Sequence, residues 1–255
     1  MLNNKYDEGL GTVYERIMLN KMFDKIIDEY HPRFILETPI FGMTGLTGIN
    51  SVQFARRECH VTLCDTSHPL ELARDLWQKL NLPINTVEVA SLSKTITLTS
   101  NTFDLVWNFA ALWHIANAPN LIGEMTRLSK NLVLIFVQNK TQIGYLLRKY
   151  VIDKKLFATV HEEWLNTYMI KRTLLSNNFY ILKEGIIDVP PFPDVAMPVG
   201  RKVKSDWSWN VMDYYMGKDD GLLTRLEKYQ FIENSNLPFK KFWSHHRFIL
   251  AQQRS

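Results

Sequence analysis

Apolar and polar positions along the first 140 residues switch repeatedly between a helical and a strand-like spacing. Val13, Ile17, Met22, Ile26 and Ile27 recur near the helical period and His31-Pro32 ends the run, which predicts a helix over 12–30. Phe34-Ile35-Leu36-Glu37 reads as a short buried strand, and Asn50-Ser51 as the cap of a helix running through Arg57. Val61-Thr62-Leu63-Cys64 is a second strand that ends at Asp65. Pro69–Leu80 reads as a helix, with Leu72, Leu76 and Leu80 four apart, and Thr86–Val89 as a short third strand. Phe103–Phe109 is a fourth strand, introduced by Ser100-Asn101-Thr102, and Leu121–Leu128 is helical. Leu132–Val137 is an uninterrupted apolar run, the pattern of a central parallel strand covered on both faces. Strands that alternate with helices predict a parallel sheet built from right-handed crossover units.

The last third follows another pattern. Residues 162–176 are helix-like, with Trp164, Tyr168 and Leu175 placed on one face. Tyr180–Val189 reads as a strand ended by Pro190-Pro191-Phe192-Pro193, and Arg247–Ala251 as a final strand. No crossover helix is evident between these two, so a closing antiparallel pair is expected. Between them, residues 205–216 are rich in Trp, Tyr and Met. No repeat, low-complexity tract or linker divides the chain, so one domain over 1–255 is expected. It comprises an N-terminal helical cap (1–32), a core (33–140) and a later part (141–255) with a lid at 200–240.

Composition adds little to this picture. Hydrophobic residues make up 46% and charged residues 22%, near the globular average. The net charge is +4 and no run of five basic residues occurs, so nothing calls for nucleic acid. Cys59 and Cys64 are the two cysteines; their spacing places them on opposite faces, and no Cys-x-x-Cys or histidine cluster suggests zinc. Met1-Leu2-Asn3-Asn4-Lys5 lacks the apolar core of a signal peptide, and the longest apolar run is far too short to span a bilayer. A soluble cytoplasmic protein is the expectation.

The candidate chemistry lies between residues 34 and 65. A strand, a turn spaced by Gly42, Gly45 and Gly48, a helix, and a second strand with Asp65 at its tip form half of a nucleotide-binding crevice. Glycines let the backbone approach a ligand, and the acid accepts hydrogen bonds from ribose hydroxyls. Each feature has a plainer reading: a tight loop for the glycines, a helix cap for Asp65, an ion pair with Arg33 for Glu37. His114, after Leu112-Trp113, reads more readily as a satisfied, half-buried histidine than as a base. His60, His161, His245 and His246 have no carboxylate at motif spacing. No Gly-x-Ser-x-Gly, His-Glu-x-x-His or P-loop pattern is present.

On these residues the chain resembles the class I S-adenosylmethionine-dependent methyltransferases. Glu37 followed by Thr38-Pro39-Ile40-Phe41-Gly42-Met43-Thr44-Gly45-Leu46-Thr47-Gly48 is similar to their first motif, although Thr38-Pro39-Ile40 replaces its opening Gly-x-Gly. Asp65 matches the ribose-holding acid, Ser91 is the nearest match to the polar residue beside adenine, and Phe103–Ile115 resembles the fourth motif with Asn108 at the strand tip. The resemblance implies a doubly wound, mostly parallel α/β sheet of seven strands with an antiparallel last strand and helices on both faces. It implies S-adenosyl-L-methionine as cofactor and S-adenosyl-L-homocysteine as product. Glu37, Gly42, Gly45, Gly48, Asp65, Ser91 and Asn108 would be the binding residues.

The implied reaction is in-line displacement of a methyl group from sulfonium to an acceptor, with no catalytic residue assigned. Tyr6 and Tyr14 in the N-terminal segment, His114, and Asn139 beyond strand five are the substrate-side candidates. Asn108 is followed by Phe109-Ala110-Ala111 rather than Pro-Pro-aromatic, and neither cysteine follows a proline, which disfavours nucleic-acid bases as acceptors. A small organic molecule or a lipid headgroup remains, and the aromatic stretch with the positive balance allows a membrane-surface acceptor. The oligomeric state is not readable. Two other readings share the crevice: a nicotinamide-dependent oxidoreductase, and a non-catalytic binding subunit of the same fold.

Overall fold

The computed structural model describes residues 6–7, 10–40, 46–152, 154–190, 197–198, 215–216 and 221–254. In chain order the main elements begin with β1 (Tyr6–Asp7), α1 (Leu10–Tyr30), β2 (Phe34–Glu37), α2 (Val52–Arg56), β3 (His60–Asp65), α3 (Ser67–Lys79) and β4 (Asn85–Glu88). Next come β5 (Phe103–Phe109), α4 (Ala118–Leu128), β6 (Ser129–Gln138), α5 (Ile143–Leu147), α6 (Lys154–Phe157), α7 (Thr167–Ser176) and β7 (Phe179–Ile187). The chain closes with β8 (Met197–Pro198), α8 (Leu222–Glu227), α9 (Gln230–Asn234) and β9 (His246–Gln253).

Seven strands form one sheet in the order β4-β3-β2-β5-β6-β9-β7. The first five in that order are mutually parallel, and β9 runs antiparallel to both β6 and β7. The expected closing antiparallel pair is therefore β7 and β9. A separate two-residue ladder pairs Tyr6-Asp7 with Met197-Pro198, a contact between remote segments that no local pattern foretells.

Alternate residues of each central strand feed two apolar layers. Ile35, Leu63, Trp107, Leu134 and Phe136 pack with α1, α2 and α3. Leu36, Cys64, Val106, Val133 and Ile135 pack with α4 and α7 on the other side. A side-chain period of two, with apolar residues in both phases, requires a sheet covered on both faces. Trp107 anchors the first layer, with ring centroids 4.8 Å from Phe23 and 6.3 Å from Phe136. Both cysteines are free and buried, one in each layer.

Two local expectations need correction, and one segment is added. The Ser51 side chain does not cap α2; its hydroxyl turns to Glu37 instead. The segment 162–176 is not one helix but a 3-10 turn at Glu162–Leu165 followed by α7. Asn166 restarts the helix by accepting the Tyr168 N–H, which shifts the buried face to Ile170 and Leu174 and leaves Tyr168 and Leu175 exposed. Residues 143–157, unassigned from the sequence, are helical apart from Asp153, which lies outside the described residues. Among the described residues no helix is long and apolar enough to cross a membrane.

Candidate functional site

The carboxyl ends of β2, β3 and β5 lie side by side, with Glu37 paired in register to Leu63 and to Trp107. This edge, where connections leave to opposite sides of the sheet, is where open α/β sheets place ligands. Glu37 is fully buried. Its Oε2 accepts the Ser51 hydroxyl at 2.6 Å, and the Ser51 Oγ in turn accepts the Trp107 indole N–H at 3.1 Å. Oε1 has no hydrogen-bond partner among the described residues. Burial pushes the Glu37 carboxyl up to about 8, against the lowering effect of the Ser51 hydrogen bond; nearby Asp65 raises it further and Arg16 lowers it. Glu37 therefore does not pair with Arg33. Burial favours its neutral form, and it points an unanswered oxygen into the strand-tip region.

Asp65 sits one strand away and is nearly as buried. Its Oδ2 accepts the Ile40 N–H at 3.0 Å, and Oδ1 accepts both the N–H and the hydroxyl of Thr66. Burial raises its pKa, and these hydrogen bonds hold the rise in check. A carboxylate offers about four acceptor positions, so the chain fills three and leaves about one for a ligand hydroxyl. Asp65 thus faces the loop after β2.

Gly42 and Gly45 lie outside the described residues. Gly48 has φ +76°, and a Cβ there would stand 2.6 Å from the Ala73 Cβ. Its carbonyl accepts the Trp77 indole N–H at 2.9 Å. Gly48 is required for the close seating of α3 on the loop, the packing task that the last glycine of such turns performs. Beyond β4, the Ser91 hydroxyl accepts the Ser93 N–H, and Val89 ties this segment back to the Asp65 carbonyl at 3.0 Å. Asn108 is buried on the α4 face, where its amide lies 3.3 Å from Met125 Sδ; its Oδ1 has no partner among the described residues. Glu37, Asp65 and the Ser91 turn are thereby brought to neighbouring strand ends, while Asn108 projects to the opposite layer from Trp107.

The substrate-side candidates separate. Tyr6 contributes backbone to the β1–β8 ladder. Tyr14 is buried on α1, and its pKa is raised first by burial and then by Glu233 and Asp188. His114 is on the exposed side of a 3-10 turn, 5.0 Å from the Trp113 ring, so it is less covered than expected. Burial against its neighbours lowers its pKa. Asn139 is buried and fully engaged: its amide nitrogen donates to the carbonyls of Lys241 and Ser244 and to the Ser244 hydroxyl, and its oxygen accepts from Thr141.

One group escaped the sequence. Glu15, Asp188 and His246 are all buried, with potential ligand atoms within 4.8 Å of one another. His246 Nδ1 lies 3.3 Å from Glu15 Oε2, and its ring packs 4.7 Å from Phe109. His246 pairs with Gln138 at the tip of β6, so this cluster shares the carboxyl edge with Glu37 and Asp65. Its members come from positions 15, 188 and 246, and no spacing rule could have joined them.

Comparison with known proteins finds the same fold. Residues 43–137 match the family model described as "Methyltransferase domain". No curated protein matches the sequence. Magnesium protoporphyrin IX methyltransferase (ChlM) from Synechocystis PCC 6803, solved with S-adenosylhomocysteine, is similar in structure with a TM-score of 0.57 at 12% identity, covering 95% of this chain and 84% of that one. Geranyl diphosphate methyltransferase in complex with S-adenosylmethionine aligns at TM-score 0.51 and 12% identity, over 92% and 85%. The [4+2]-cyclase SpnF aligns at TM-score 0.53 and 13% identity, over 92% and 80%. The match to the methyltransferase-domain model spans residues 43–137, and the likeness to these solved structures shows that the seven-stranded sheet has the class I methyltransferase fold.

Proposed function

We propose that this protein transfers a methyl group from S-adenosylmethionine to a small organic or lipid-headgroup acceptor. The observation that carries the reading is the pair of acids at adjacent strand tips, Glu37 with an unanswered buried oxygen and Asp65 with an acceptor position to spare. These donor-hungry groups fit the cofactor's two polar ends. Glu37 would hold the methionine ammonium, Asp65 a ribose hydroxyl, and the Ser91 turn would lie beside the adenine. Bound there, the cofactor supplies a methyl group already activated on a cationic sulfur for in-line displacement. The chain's own task is to hold acceptor and donor in line and exclude water, an alignment that contributes on the order of 7–11 kcal/mol in favourable models. Tyr14 and Glu15 are carried by α1, and His246 meets Glu15 at this edge; we assign the three to the acceptor side.

A second reading, a protein of this fold that binds without transferring methyl, has one observation in its favour: Ile40 and Thr66 already engage both Asp65 oxygens. The cyclase SpnF is a reminder that one fold carries more than one chemistry. Thermal melting of the purified chain with S-adenosylhomocysteine, NAD or NADP, one at a time, separates the readings. A rise with the first alone is expected. A rise with a nicotinamide dinucleotide alone, or with none, refutes the proposal.

A further inference from the structure

We infer that the face formed by residues 143–152, 154–155 and 237–243 docks on an anionic lipid bilayer. The helical run that begins at Ile143 is turned inside out relative to an ordinary surface helix. Its apolar residues Ile143, Leu146, Leu147, Tyr150 and Val151 follow the i, i+3, i+4, i+7, i+8 spacing of a core-facing stripe, yet they face solvent. Tyr150, Val151 and Ile152 are 61, 66 and 68% exposed. The run is fixed to the body from its other side. Tyr145 is buried and hydrogen-bonds Glu162, Lys149 pairs with the same Glu162, and Gln142 caps the first turn by accepting the Tyr145 N–H. The stripe is therefore held outward.

A second apolar group belongs to the same end of the sheet. Phe239, Phe242 and Trp243 are exposed on the segment before β9. The Asn139 amide, four residues before Ile143, donates to the Lys241 and Ser244 carbonyls, and its N–H donates to the His245 carbonyl at 2.8 Å. Those bonds tie the two segments together at their roots, where both meet the same sheet edge. Clustered exposed apolar residues of this kind mark an interaction site.

Charge selects the partner. Residues 138–160 hold five basic residues against one acid, and residues 235–255 hold four against none, in a chain whose net charge is only +4. Lys140, Lys154, Lys155 and Lys241 are exposed around the apolar residues. An apolar stripe with aromatic neighbours and a lysine rim is the composition of a helix lying in the interface of an anionic membrane. A second copy fits poorly, because a twofold interface would set the same lysines against their own counterparts. This surface is distinct from the aromatic stretch at 205–216, nearly all of which lies outside the described residues. It follows β6 and precedes β9, on the same edge of the sheet as Glu37 and Asp65. The surface itself stands on exposure and charge. Its consequence, that the acceptor reaches the site from the bilayer, rests on the methyl-transfer reading.

The test is flotation of the full chain with vesicles of phosphatidylcholine containing about 30 mol% phosphatidylserine, against phosphatidylcholine alone. We expect binding to the first at least about tenfold stronger than to the second, and weakened at about 0.5 M salt. The Leu147→Glu, Val151→Glu double variant alters two exposed positions and should lose at least about tenfold of that binding while keeping its thermal response to S-adenosylhomocysteine. Absence of binding to the anionic vesicles, equal flotation of the variant, or a dimer that the variant dissociates would each overturn the inference. The cofactor response is read in the same samples, so failure of the docking surface and failure of the cofactor assignment give different results.

Discussion

The carboxyl edge of the sheet has two ends that are built differently. At β2 and β3, the polar groups come from a short stretch of chain and keep capacity in reserve: Glu37 has an unanswered oxygen and Asp65 an acceptor position to spare. At β6 and β9, the polar groups come from remote segments, and Asn139 is saturated by the chain itself. Reserve capacity is the mark of a group that awaits a ligand, because a buried polar atom without a partner costs about 1–3 kcal/mol. Saturation is the mark of a clamp. On the methyl-transfer reading the first end is prepared for a cofactor; at the second, Asn139 is the clamp, and that end carries the apolar, lysine-rimmed face outward.

The sharpest way to break that contrast is to remove the residue that supports the first end. Trp107→Ala empties a fully buried site against Phe23, Phe54 and Phe136 and deprives Ser51 of its indole donor. We expect a loss of about 3–5 kcal/mol in urea unfolding. Asn139→Ala should cost less, about 1–3 kcal/mol, and leave S-adenosylhomocysteine affinity within about twofold, because the clamp serves the other end. A large affinity loss in that variant would show that the two ends are one unit.

Protonation of Glu37 gives a smaller, pH-dependent effect. Its carboxyl is raised to about 8 in the fold from an ordinary value of 4.5. The folded state therefore holds the proton more tightly than the unfolded chain. This contribution to stability is fully present below pH 4.5 and is lost as pH rises toward 8. Urea unfolding of the Glu37→Gln variant from pH 5 to 8 should show a shallower decline than the parent; parallel curves would contradict the shift. On the cofactor reading, an ionised Glu37 holds the ammonium, so S-adenosylhomocysteine affinity of the parent should rise with pH up to about 8 and flatten in the variant.

The same contrast explains what could be read from the sequence. The order of strands and helices from α1 through Gln138 was legible because each element carries its own periodicity, and Glu37 and Asp65 because both terminate apolar runs. Gly48 was legible as a constrained position, but its reason, the 2.6 Å approach to Ala73, is a tertiary fact. The 143–157 helices were hidden because their apolar stripe faces water and ends in a π turn rather than in a cap and a core. Glu15, Asp188 and His246 meet only because β9 returns between β6 and β7. Ser51 looked like a cap, yet its hydroxyl found a stronger acceptor in a buried carboxyl.

The central claim is that Glu37 and Asp65 form a site for S-adenosylmethionine, and calorimetric titration with S-adenosylhomocysteine at about pH 8, where about half of Glu37 is ionised, addresses it directly. The account predicts one-to-one binding by the parent chain and at least about a tenfold weaker affinity for Asp65→Ala, which loses the ribose partner. Absence of heat with the parent, or equal affinity in the variant, would contradict it.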